Sequence, residues 1–310
     1  MNKAILNFDS NNKTKKNHIV PQVYLRYFKK SDQNDINVYD KRIDEIYTSN
    51  ISNLCSENKL YVIEDNSTDV YMSWEDYYTK NVDNTINSVF NEIIKNAECT
   101  INIKPLLDYE LRLKIINIIS HQMLRTHEKI YSFYDDYPKE LDRILENDKV
   151  KKYKNRKEIK KIKKLLEQEY VYKSFALPTI NNVANNSRIK HTLLNKTWTI
   201  FCNNTNIDFV TSDTPVVLYD YKRRKASTKN GIANETTLLA YPISPQYMIV
   251  IFPNEFLGGA MRIVNNFGKV LCDNVDIIEF YNSLQFKNSY RQIYARRKEE
   301  LNYLRSLRSE

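Results

Sequence analysis

The chain has 310 residues, 42% hydrophobic and 27% charged, the composition of an ordinary globular protein with a sizeable core. Its four glycines, Gly231, Gly258, Gly259 and Gly268, build no GxGxxG, Walker-type phosphate loop or GxSxG elbow, which sets aside dinucleotide, P-loop and α/β-hydrolase chemistry. The net charge of +9 is local: residues 149–173 hold eleven Lys or Arg against three Glu, and the rest is close to neutral.

No apolar run is long enough to span a membrane. Residues 1–16 are polar, lack the apolar core of a signal peptide and read as a flexible arm. Cys55, Cys99, Cys202 and Cys272 form no CxxC pair, which points to reduced thiols in a cytoplasmic protein and away from zinc. The four histidines show no HExxH spacing.

The first element opens at Asn17. Pro21 suits a first helical position and keeps the chain before it out of α geometry, so His18 falls in extended chain ahead of a short helix. At about 100° per residue, Pro21, Tyr24, Leu25 and Phe28 share one face, with Gln22 and Arg26 together beside it. Taken alone, this is an amphipathic helix docked on a core, with His18 as a hydrogen-bonded cap.

Residues 36–41 and 43–49 are expected to be strands around a turn at Asp40, Lys41 and Arg42, with a third strand at 60–63. A helix over 74–97 follows. Tyr78, Val82, Ile86, Val89, Phe90 and Ile93 form its apolar stripe, with Glu75 near the middle and Asp83 at the edge. A longer helix over 109–134 buries Leu111, Ile115, Ile118 and Ile119, with Gln122 inside that face and Arg125 on its flank. Polar groups taken out of water without partners are costly, so these residues should be paired or line a cleft.

Residues 149–173 read as a basic helix anchored by Ile159, Ile162, Leu165 and Leu166. It is either a solvated face or a surface on which Lys152, Lys157, Lys160, Lys161 and Lys164 meet nucleic-acid phosphates. A further helix is expected over 175–196, and then strands at 198–202, 208–211, 216–219, 238–243 and 247–252. Asp213, two residues before Pro215, makes either an Asx turn or a functional loop carboxylate. The tetrad Lys222, Arg223, Arg224, Lys225 reads as a hairpin tip. Residues 274–296 are helical by periodicity, with Val275, Ile278, Phe286 and Ile293 on one face and Asn282 within it. The tail over 297–310 is charged. No repeat or Pro/Gly-rich linker divides the chain. The expected fold is a single α+β domain over 17–296 with a basic helical insertion at 149–173. Its helical layer joins mainly antiparallel strands from both halves.

Several motifs, in order, carry a resemblance. His18, Pro21, Tyr24, Leu25 and Phe28 form an HxxPxxYLxxF opening. Gln122, Arg125 and Thr126 form QxxRT; Thr211, Ser212, Asp213 and Pro215 form TSDxP. Pro242, Ser244 and Pro245 form PxSP, and Asn282 and Gln285 close the series. Over residues 15–296 the chain thereby resembles the bacterial family of unknown function DUF4238. Glu75 and Asp83 match its acidic positions, Asp83 standing where Glu is more usual. His127 departs from the family's proline after Arg-Thr, and 149–173 resembles an insertion. The resemblance implies a shared site without naming its activity.

Two functions compete. One is a nuclease or other phosphodiester-acting enzyme, serving in phage defence. Glu75, Asp83 and Asp213 would hold a divalent cation such as magnesium. His18 would act as general acid or base, and Arg125 would stabilise phosphate charge. Gln122 would orient water or substrate, with Gln22, Arg26 and Asn282 as further walls. The other is a non-catalytic sensor or interaction module, in which the same residues form a buried polar network or hold a small ligand.

Overall fold

The computed structural model describes residues 16–30, 33–65, 70–99, 106–147, 156–226, 231–253 and 268–309. Of the arm expected over 1–16, residues 1–15 lie outside the described residues, as does Lys152, and Lys16 belongs to a strand. Strand β1 (Lys16–His18) leads through Pro21 into helix α1 (Gln22–Leu25) and a 3-10 turn ending at Phe28. His18 thus stands in extended chain, as its distance from Pro21 suggested. Strands β2 (Asp35–Asp40) and β3 (Glu45–Asn50) form a hairpin with Asp40 opposite Glu45. Strand β4 (Ser56–Asn58) returns against β1 and sets His18 opposite Ser56. Strand β5 (Val62–Asp65) then pairs with β6 (Val70–Ser73).

The helical layer follows. Helix α2 (Trp74–Tyr78), a π turn (Thr79–Asp83) and α3 (Asn84–Glu98) run on from one another, within a residue of the expected span at its C-terminal end. The expected 109–134 helix is instead two: α4 (Tyr109–Leu124) and α5 (His127–Leu145). Arg125 leaves helical geometry at φ −85°, ψ 26°, and the Thr126 hydroxyl caps α5 by accepting from Lys129 N–H. Helices α6 (Arg156–Leu166), α7 (Glu169–Ala184) and α8 (Ser187–Leu194) replace the two helices expected over 149–173 and 175–196. The Asn186 side chain caps α8 and separates it from α7.

Strands β7 (Thr197–Asn203), β8 (Thr211–Ser212), β9 (Val217–Asp220), β10 (Lys225–Ala226), β11 (Thr237–Pro242), β12 (Tyr247–Phe252) and β13 (Lys269–Cys272) come next. All but β8 form a six-stranded sheet in the order β10-β9-β11-β12-β7-β13, parallel only at β7–β13. Helix α9 (Val275–Asn288) stops before β14 (Gln292–Ala295), and α10 (Lys298–Ser306) closes the described chain apart from a final 3-10 turn. Residues 292–295 are therefore strand, not the helix expected through 296. Ile293 pairs across to Tyr39 on β2 and Ser212 on β8 in a second sheet ordered β3-β2-β14-β8. The fold is α+β with mainly antiparallel sheets.

Strand alternation gives the large sheet two apolar faces. Ile200, Leu239, Tyr241, Ile249 and Ile251 face the core shared with the helical layer and α1. Phe201, Leu238, Ala240, Met248 and Val250 face Ile278, Tyr281 and Leu284 of α9. Leu301 and Leu304 of α10 cover Tyr39, Ile293 and Ala295 of the smaller sheet. Among the described residues no helix is long and apolar enough to cross a membrane.

Candidate functional site

Most of the polar residues singled out on apolar helical faces meet beside the opening strand. Glu75 on α2 accepts from His18 backbone N–H through both oxygens at 3.2 Å and stands 3.1 Å from the His18 ring at Nδ1. The Gln22 amide nitrogen lies 2.8 Å from the other ring nitrogen, Nε2. Gln22 donating there leaves Nδ1–H to donate to Glu75. Arg125, at the break between α4 and α5, is 1% exposed. It donates to Asp83 on the π turn at 2.7 Å and to the His18 carbonyl at 2.8 Å, and lies 4.2 Å over the Tyr78 ring. Gln122 donates to the Ile19 carbonyl at 3.3 Å.

The electrostatics follow from this packing. Burial by itself would lower the Arg125 pKa, but Asp83, with Tyr61 and Glu75 nearby, outweighs it and holds the guanidinium charged. Burial raises the Asp83 carboxyl, and Arg125 offsets that only in part. A buried charge with its partner removed is far costlier than the intact pair.

Three expected site residues stand elsewhere. Asn282 donates to the Asp208 carbonyl and accepts from Val210 N–H, so it fastens α9 to the chain before β8 instead of lining the His18 cluster. Arg26 is exposed, because the turn after α1 directs it away from the buried face. Asp213 makes no Asx turn; its carboxylate accepts from the backbone N–H groups of Tyr290, Arg291 and Gln292. Burial raises its pKa, the three N–H groups and Lys41 counteracting. Glu75, Asp83 and Asp213 are thus not gathered as a cation site. Among the described residues no group of three His, Cys, Asp or Glu side chains is placed to hold a metal.

Other motif residues are joints between elements. The Tyr24 hydroxyl bonds Thr211 at 2.6 Å and the Pro242 carbonyl at 2.7 Å, tying α1 to β8 and β11. Ser212 donates to Gln285, whose amide donates to the Pro215 carbonyl. Ser244 accepts from Gln246 and Tyr247 N–H in the turn before β12.

Beyond Ile19, on the side of Asp213, opens a cleft of about 940 Å³. The turn after β2 supplies Lys41 and Arg42, the approach to β4 supplies Cys55 and β4 itself Glu57, α5 supplies His127, and the α9–β14 connection supplies Tyr290 and Arg291. Lys41 N–H donates to the Arg291 carbonyl and Asp213 N–H to the Gln292 carbonyl, so these segments are joined through their backbones. The Arg291 guanidinium pairs with buried Asp40 at 2.7 Å. Sequence reasoning named none of these as site residues apart from Asp213. The basic pair in the β2–β3 turn was the available signal; nothing marked Tyr290 or His127 as neighbours.

Away from this cleft, Lys157, Lys160, Lys161 and Lys164 are exposed on α6 at a spacing that shares one helical face. Lys163 pairs with Asp142, and Lys173 is buried with its ammonium on the Lys59 carbonyl.

The fold and its joints define an α+β protein with a buried His–Glu and Arg–Asp cluster beside an open basic cleft. The model of the family described as a protein of unknown function (DUF4238) matches residues 16–299, and the chain belongs to that family. No curated protein and no solved structure matches it.

Proposed function

We propose that the chain is a non-catalytic ligand-holding module whose buried polar cluster is architectural and whose cleft receives a small charged ligand. The observation that carries this reading is Arg125. Its guanidinium, 1% exposed, is engaged by Asp83, the His18 carbonyl and the Tyr78 face, all from within the chain. A cation engaged in this way fixes β1, α2 and the π turn relative to the end of α4, and at 1% exposed it is closed off from a substrate. The cleft, in contrast, is open and carries the exposed Arg42. Arg125→Ala should lower stability by about 3–5 kcal/mol, the scale for breaking a buried pair. A denaturant midpoint equal to that of the parent would refute the architectural role.

A second reading rests on a different observation: the His18 ring is held between Glu75 and Gln22 with its side chain 17% exposed. A histidine oriented by a carboxylate is suited to general acid or base catalysis. In this reading the protein cleaves phosphodiesters, the lysine face of α6 attracts the nucleic-acid backbone, and phage defence is the setting. Incubation with single- and double-stranded DNA and RNA in magnesium buffer tests it. Cleavage lost in both His18→Ala and Glu75→Gln supports the reading; cleavage unchanged in both, or no cleavage by the parent, rules it out.

A further inference from the structure

His127 is stacked on both sides. Its ring lies 4.4 Å from that of Tyr131 at 29° and 4.2 Å from that of Tyr290 at 13°. Tyr131 is anchored to Glu57 by a hydrogen bond, so the inner end of this column is fixed. Tyr290, at the outer end, is 55% exposed and lines the cleft. An aromatic ring held by a rigid stack and left half open is a platform for a further planar ring, and base–aromatic stacking tolerates any nucleobase.

The same cleft carries Lys41, Arg42 and Arg291. Arg291 is satisfied by Asp40, and Lys41 reaches the carbonyls of Phe286 and Ser289. Arg42 is exposed, and among the described residues its guanidinium has no partner. A planar guanidinium with unused donors suits a phosphate group. The acids on the wall are occupied: Glu57 by Tyr131, and Asp213 by the three backbone N–H groups of residues 290–292. Ser49, Asn53 and Ser56 add neutral polar groups. The volume, about 940 Å³, falls at the upper end of the usual range for small-molecule sites.

We infer that the cleft binds a nucleotide, its base stacked on Tyr290 and its phosphate met by Arg42. This rests on the reading of the cleft as the ligand site and names the class of ligand. The base alone would forgo the guanidinium, and phosphate alone would forgo the aromatic platform.

Calorimetric titration of the full chain with AMP, adenosine and inorganic phosphate tests the inference. AMP should bind at least about tenfold more tightly than either fragment, and Tyr290→Ala and Arg42→Ala should each weaken AMP about tenfold, the scale of one stacked base or one charged contact. Tyr290→Phe keeps the ring and should bind as the parent does. All four proteins should share one melting temperature, which separates lost contact from lost fold. Phosphate binding as tightly as AMP, or Tyr290→Ala binding AMP like the parent, overturns the nucleotide inference while the cleft remains an anion site. Absence of binding by every probe overturns it as well. The architectural reading of Arg125 stands or falls separately, on its own stability measurement.

Discussion

His121 shows at the scale of one residue what the polar interior costs. Burial lowers its pKa from the ordinary value of 6.5, outweighing the Asn117 carbonyl and the Asn181 side chain that favour the charged ring. The folded ring therefore prefers to be neutral, while the unfolded ring protonates at the ordinary value. The unfolded state binds more protons over the interval between the two. Stability is thus fully present above 6.5 and is lost as pH falls through that value towards the folded one. Burial shifts His127 the same way. Melting followed from about pH 7.5 to about pH 5 should show the parent losing more stability than His121→Gln, whose side chain cannot take up a proton. Equal losses would mean that His121 contributes nothing to the acid sensitivity. At this scale the sequence was informative in part: Gln122, Arg125, Glu75 and Asp83, in or beside apolar helical faces, do find partners in the interior, whereas nothing in the sequence singled out His121. The partner of each could not be read, because a helical wheel gives direction and not the neighbour it meets.

At the scale of elements, the limits of an unbroken apolar run were legible, and breaks made by a cap or a tertiary contact inside a periodic run were not. Strand β12 falls on the expected 247–252, where apolar residues run unbroken and both faces are buried. The break at Arg125 escaped periodicity because Arg125 is drawn from helical geometry while its side chain serves Asp83 and His18. Strand β14 was mistaken for helix since Ile293 falls in phase with α9; its true partners, β2 and β8, lie far away in sequence. Asp213 secures that strand by accepting from the N–H groups of its first residue, Gln292, and of the two residues before it. Asp213→Ala should cost about 1.5–3 kcal/mol, the scale of hydrogen bonding to a charged group, and Asp213→Asn, which retains an acceptor, should cost less. Denaturant titration measures both. If Asp213→Ala matches the parent, the clasp does not hold β14 in place.

For the whole molecule, composition sufficed for a large core, the succession of helical and strand-like segments for an α+β fold, and the ordered motifs for the family, which the match over 16–299 shows. The motifs had suggested one site, yet several of them are joints. Tyr24 with Thr211 and Pro242 ties the opening helix to both sheets, and Asn282 and Gln285 tie α9 to the chain around β8. The cleft was invisible beforehand because its walls come from the β2–β3 turn, the approach to β4, the start of α5 and the α9–β14 connection. No local pattern unites them; only the pairing of β14 with β2 brings Arg291 beside Lys41.

We propose that the buried cluster is architecture and that the cleft is where ligand is held. Thermal melting of Arg125→Ala, Tyr290→Ala and the parent, each with and without AMP, tests it most directly. Arg125→Ala should melt far below the parent in buffer alone. Tyr290→Ala should melt with the parent in buffer but lose the rise that AMP gives the parent, since a ligand stabilises only the state it binds. An Arg125→Ala protein that melts like the parent, or a Tyr290→Ala protein that keeps the full rise, would contradict the account.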